Sequence, residues 1–270
     1  MIPLPSLPKI IKEEKNKAII EIEGLYPGYG ATMGNSLRRV LLSSLEGAAI
    51  TQVKIKGVSH EFSTISGVLE DVIMIILNLK KLRFKMFSEE SQHASLKIKG
   101  QKEVKGKDFK LSPQIEIVNS SAHIATLTAK SAEIDMEVQI ERGVGYQTVE
   151  EREIKKWDVG VLPIDAIFTP IKKVTFRVEN MRVGKRTDFD RLLLDIETDG
   201  TISPAIAFSK ASKIVLDHFN LFSQFEKEIE KPKEKVEKVK VVRKTKFIAK
   251  RSGAFKKKAK RKKKAKKAKK

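Results

Sequence analysis

Few residues in this 270-residue chain have the type and spacing for chemistry. Asp188 and Asp190, in the run TDFDR, stand at i and i+2. In a strand that spacing puts both carboxylates on one face, where they could hold a divalent cation. No third acid or substrate-binding cluster accompanies them, so solvation of a strand edge is the expected role. The turn Gly28-Tyr29-Gly30 could cradle a phosphate, but neither G-x-x-x-x-G-K-[ST] nor the full G-x-G-x-x-G is present. A tight turn allowing close helix–strand packing is expected instead. His60, His93, His123 and His218 are scattered singly, so no metal site is expected, and His218 reads as a packed core histidine. The chain has no cysteine, which excludes disulfides, Cys-ligated zinc and thiol catalysis. No Ser-His-Asp arrangement, HExxH or kinase signature occurs. No catalytic residue, metal or cofactor is assigned to this chain.

The chemistry that remains is recognition, and it centres on Gly28 to Gly47, GYGATMGNSLRRVLLSSLEG. At about 100° per residue, Met33, Leu37, Val40, Leu41, Ser44 and Leu45 share one helix face. Asn35, Arg39 and Leu42 fall roughly opposite, with Arg38 beside them. Charge on a helix is usually a solvated face. An arginine beside an exposed leucine, however, has the composition of an interface anchor.

The surrounding elements must position that helix. Lys17 to Gly24 reads as a strand entering the glycine turn, with residues 1–13 extended before it. Thr32 is the expected N-cap and Gly47 the expected stop. Ile50 to Val58 alternates as a strand, and Gly67 to Leu82 is long enough for a helix. Only Glu70, Asp71 and Asn78 make that helix polar, so it must be covered on several sides. Short β segments follow to about Leu127. Ile134 to Ile140 alternates without fault, and Arg142 to Tyr146 reads as a loop. Lys173 to Val183 and Phe189 to Glu197 form a hairpin. Ser203-Pro204 opens a helix running to about Phe225. Its apolar face includes Phe208, Ala211, Val215, Phe219 and Phe222 and is wider than one sheet needs, which implies a homodimer.

Charge is unevenly placed. Of 55 basic and 34 acidic residues, 227–270 hold 23 and 4, leaving a nearly balanced 32 and 30 for the rest. The globular part is therefore not a nucleic-acid binder by charge. The tail 227–270 loses periodicity and is expected to be disordered. From Lys250 onward it carries 14 basic residues and no acid. Lys256, Lys257, Lys258, Arg261 and Lys262 are candidates for contact with phosphate backbone, without sequence preference. Neither a signal peptide nor a membrane span is expected, which points to the cytoplasm.

Four blocks, GYGATMGNSLRRVLLSSLEGAAIT, HEFSTISGVLEDVIMIILNLK, RGVGY and RTDFDRLLLDIETDGTISP, together resemble the alpha subunit of bacterial-type DNA-directed RNA polymerase. The resemblance runs from about residue 15 to 225. It implies an α+β fold in which residues 1–48 and 164–226 build a dimerisation domain, an antiparallel sheet with two long helices. A β-rich domain, 49–163, is inserted between them. It implies a homodimeric scaffold that recruits the beta and beta-prime subunits, with omega and sigma joining the full nucleotidyltransferase. By motif match, Arg39 and Leu42, with Arg38 and Asn35 adjacent, would meet the beta subunit. His60, Phe62, Glu70 and Asp71 would be second contacts with the large subunits. Tyr29, Met33, Leu37, Val40 and Leu41 would support the dimer. Val144 stands where the family often has a basic residue, and a lysine-rich tail where it continues into a helical DNA-binding domain. Upstream promoter and activator contacts are therefore not carried over. The alternatives are a nucleoid-type protein binding DNA through its tail, or a free nucleotidyl- or phosphotransferase. The second has no phosphate loop or acid triad behind it.

Overall fold

A computed structural model describes residues 2–152 and 160–223. The tail, with Lys256, Lys257, Lys258, Arg261 and Lys262, and the proposed end of the last helix at Phe225 lie outside the described residues. Residues up to Leu216 form one compact unit, and those from Asp217 belong to a second. The fold is α+β with antiparallel sheets.

The first layer is a four-stranded sheet. Strands β1 (Lys9–Glu14) and β2 (Lys17–Leu25) open the chain. Helix α1 (Tyr29–Ser43) and strand β3 (Glu46–Ile55) follow. Helix α2 (Val72–Leu79) precedes β4 (Phe84–Met86), β5 (Gln92–Lys99) and β6 (Lys102–Lys105). Next come β7 (Ile115–Ile117), β8 (His123–Leu127), β9 (Glu133–Val144) and β10 (Tyr146–Gln147). Strands β11 (Val161–Pro163) and β12 (Ala166–Ile167) lead to the long pair β13 (Ile171–Val183) and β14 (Arg186–Thr198). Helix α3 (Pro204–Ser223) closes the described chain. The first sheet has the order β1-β2-β14-β13, so the N-terminal strands meet a hairpin that arrives about 150 residues later. A larger sheet runs β5-β9-β3-β4-β7, with β11 also pairing β3. The pairs β6–β8 and β10–β12 complete the set.

Two main cores result. Ile20, Leu41, Leu192, Leu194, Ile196 and Ala207 belong to one, beneath α1 and α3. Val53, Ile75, Leu96, Ile124, Met136 and Ile140 belong to the other, formed by the large sheet, α2 and β8. A third, small cluster joins Ala49, Ala166 and Phe168. There Gly47 of β3 lies opposite Gly143 of β9. A Cβ on Gly47 would stand 1.8 Å from the Phe168 carbonyl oxygen, and one on Gly143 would stand 2.6 Å from the Phe168 ring.

Several boundaries differ from the sequence reading. Helix α1 stops at Ser43, because Gly47 is committed to β3 under Phe168. Helix α2 is only eight residues long. Gly67 has φ 78°, and Val68 bridges Leu127, so the chain is extended there rather than helical. The segment Arg142–Val144 is the end of β9, paired with Glu46–Ala48, and the chain turns only at Gly145, φ 69°. The hairpin of β13 and β14 and the helix start at Pro204 are as expected, and the Ser203 hydroxyl accepts the Ile206 amide at 3.4 Å.

Candidate protein-binding site

Helix α1 is seated by glycine and leucine on one side. Gly30, Gly34, Leu37 and Leu41 are its buried residues. A Cβ at Gly34 would lie 2.6 Å from the Phe176 ring and 2.9 Å from Leu192, and one at Gly30 would lie 2.8 Å from Val178. The two glycines let the helix backbone lie directly on β13 and β14, closer than any side chain would allow.

Its N-terminus is fixed by Asp190, and this corrects the edge-solvation reading. Asp190 is 7% exposed. Its Oδ2 accepts the Gly28 and Gly30 amides, each at 2.9 Å. Those amides are among the unsatisfied donors that any helix start presents, and the anion complements the helix dipole. The donors a phosphate would need are thus taken by the chain's own carboxylate. Gly28, at φ 85°, occupies the N-cap position, and Thr32 lies inside the helix, its hydroxyl donating to the Gly28 carbonyl at 3.3 Å. Asp188 lies apart from Asp190: it is exposed and pairs with Arg186 at 2.6 Å. The Arg186 guanidinium covers the Tyr26 and Phe189 rings at 5.6 and 5.3 Å.

The opposite face is open. Asn35, Arg38 and Arg39 are exposed, and Leu42 retains 37% of its surface. Among the described residues neither Arg38 nor Arg39 has a carboxylate partner. Met33 and Tyr29 are 46% and 41% exposed, while Val40 is half-buried against the first core. In α3, Ala211 is buried and Phe208 and Val215 pack against the same core. Phe219 and Phe222 are exposed and meet edge to face at 5.9 Å. His218, expected as a packed histidine, is exposed.

The second group of candidates lies around α2. His60 and Phe62 are exposed, and the Ser63 hydroxyl lies 3.2 Å from His60 Nδ1. Asp71 is exposed at the N-cap of α2. Glu70 is turned inward. It accepts the Thr126 amide at 2.6 Å and hydroxyl at 3.0 Å, and meets His123 Nε2 at 2.8 Å. Burial pushes its carboxyl up, but several hydrogen bonds, led by those from the Thr126 amide and His123, outweigh it and hold it below the ordinary value. On α2, Met74 and Leu77 are about half exposed, at 47% and 46%. The sequence reading did not single them out, although the near-absence of polar residues in VIMIILNL was a signal that something must cover them.

Among the described residues no cluster of His, Asp and Glu could hold a metal ion, and no helix is long and apolar enough to cross a membrane. What the site offers is a helix presenting two guanidinia, unpaired among the described residues, around a leucine.

Residues 53–169 match the RNA polymerase Rpb3/RpoA insert domain. A DNA-directed RNA polymerase subunit alpha from Oceanobacillus iheyensis is 47% identical over 217 residues, covering 80% of this chain and 69% of that protein. The one from Syntrophomonas wolfei is 46% identical over 244 residues, covering 86% and 77%. The one from Roseiflexus castenholzii is 46% identical over 222 residues, covering 82% and 68%. With nearly half its residues shared across four-fifths of its length, this chain belongs to the bacterial DNA-directed RNA polymerase alpha subunit family.

Proposed function

We propose that this protein is a homodimeric scaffold on which the beta and beta-prime subunits of a cytoplasmic RNA polymerase assemble, contributing no catalytic residue, metal or cofactor itself. The observation that carries this reading is the division of α1. Gly30, Gly34, Leu37 and Leu41 seat one face on the sheet, and Asn35, Arg38, Arg39 and Leu42 leave the other free. An arginine pair with no carboxylate partner among the described residues, around an exposed leucine, suits a protein partner. Exposed Met33 on α1 and the apolar residues of α3 suit the dimer. Phe62 and Asp71 with Met74 and Leu77 suit a second large-subunit contact. The two main cores support dividing the chain into a dimerisation domain, 1–48 with 164–226, and an insert, 49–163.

Gel filtration tests the assignment. Arg39→Ala should elute as the wild-type dimer yet fail to co-elute with the beta subunit, a loss of about 2 kcal/mol or more for an interface anchor. Undiminished co-elution, or loss of the dimer itself, would show that the face is wrongly assigned.

A second reading concerns the tail. Its 14 basic residues and no acid from Lys250 onward favour sequence-independent attraction to DNA, through Lys256–Lys258, Arg261 and Lys262 among others.

A further inference from the structure

A cleft of about 510 Å³ opens where β3, β4 and β9 approach the start of α3. Its floor and one lip are apolar. Met86 is buried at 6%, whereas Ile206 and Phe87 keep 53% and 63% of their surface. Three cations line it, Lys85, Arg142 and Lys210, against the single acid Glu46. Among the described residues none of the three has a carboxylate partner. Arg142 is held in place by donating from Nη2 to the Met86 carbonyl at 2.9 Å, and Lys85 Nζ lies 5.6 Å over the Phe87 ring. The nearby Asp199 does not neutralise them. Its carboxylate lies 3.5 Å from Arg83 and also accepts the Thr201 amide and hydroxyl. Those contacts also use up polar groups at the turn before α3.

We propose that this cleft docks an extended peptide segment of a partner protein in which acidic and large apolar side chains alternate. The excess of positive charge selects the carboxylates, and an apolar lip left half in water selects side chains that would cover it. The volume matches a few side chains rather than a whole domain face. A nucleic acid fits less well. Its phosphates would meet the cations, but Ile206 and Met86 give its bases nothing to stack on, and Lys85 already covers the Phe87 ring. The cleft is separate from the free face of α1 and does not depend on the assembly role proposed for it.

The test uses the full chain and fluorescence anisotropy with two labelled probes of equal charge, Asp-Leu-Asp-Phe-Glu-Leu and Asp-Ser-Asp-Ser-Glu-Ser. The lysine-rich tail attracts both alike, so the readout is the preference between them. Wild type should prefer the apolar probe by roughly tenfold. The preference should vanish in Ile206→Ser, whose side chain is exposed and whose loss leaves the cores intact. The double variant Lys85→Glu with Lys210→Glu, also at exposed positions, should weaken the apolar probe roughly tenfold more than the polar one. Equal affinity of wild type for both probes would overturn the proposal, as would an unchanged preference in Ile206→Ser. So would displacement of the apolar probe by a single-stranded oligonucleotide whose own binding falls in Ile206→Ser, since the cleft would then be a nucleic-acid site.

Discussion

Asp190 shows how much a single carboxylate can decide. It reaches across 160 residues of sequence to hold the Gly28 and Gly30 amides. Replacing it with alanine leaves one buried donor, at Gly30, and one partly buried, at Gly28, unmet and should cost about 2 kcal/mol, seen as a lower urea midpoint. Asparagine keeps an acceptor but not the charge, and should cost about half as much. A midpoint unchanged in both variants would refute the role. Glu70 makes the matching argument through pH. Its folded carboxyl is held below the ordinary glutamate value of 4.5. The unfolded chain therefore takes up the proton first. The stabilisation from Glu70 is complete above that value and is lost as pH falls through it toward the folded one. Glu70→Gln should be less stable at neutral pH and show a shallower loss of melting temperature with acid. An identical acid slope would mean the carboxylate contributes nothing. Neither role was legible in the sequence, since an aspartate in TDFDR and a glutamate in VLED carry no local sign of partners so far along the chain.

Elements whose signal is local were legible. The alternation of Ile134 to Ile140 gave β9, and Ser203-Pro204 gave the start of α3. The two faces of α1 also followed from spacing alone. Elements ended by tertiary contact were not. Gly47 looks like a helix stop, and only the Phe168 carbonyl against it explains why it belongs to a strand. Gly143 and Gly145 look like a loop, yet the strand runs on to Val144. For α1 the glycines set the height of the helix above the sheet. Gly34→Ala improves helix propensity by about 1 kcal/mol. It also drives a methyl group to 2.6 Å from the Phe176 ring. Overpacking of that kind typically costs about 1–3 kcal/mol, so the net change should be destabilising. Thermal unfolding checks the sign, and a raised melting temperature would mean that Phe176 moves aside freely.

At the scale of the whole molecule, charge is divided unevenly along the chain. The balanced part of the chain builds the cores, and 227–270 carries nearly all the excess. Removing residues 230–270 should leave assembly intact and flatten the dependence of log K on log salt for polymerase–promoter binding. An unchanged slope would rule the tail out as a DNA contact. The small cluster of Ala49, Ala166 and Phe168 was not visible in the sequence, because its members come from distant segments. That cluster has a consequence for folding fidelity. Gly47 and Gly143 are partners across β3 and β9, and Phe168 covers both. A slip of one residue between these strands would set Glu46 or Ala48 against the Phe168 carbonyl, or Arg142 or Val144 under its ring, and turn every later side chain to the wrong side. The Phe168 carbonyl fits against Gly47 and its ring against Gly143 only when the two strands are correctly aligned, so one residue favours the correct pairing over its neighbours.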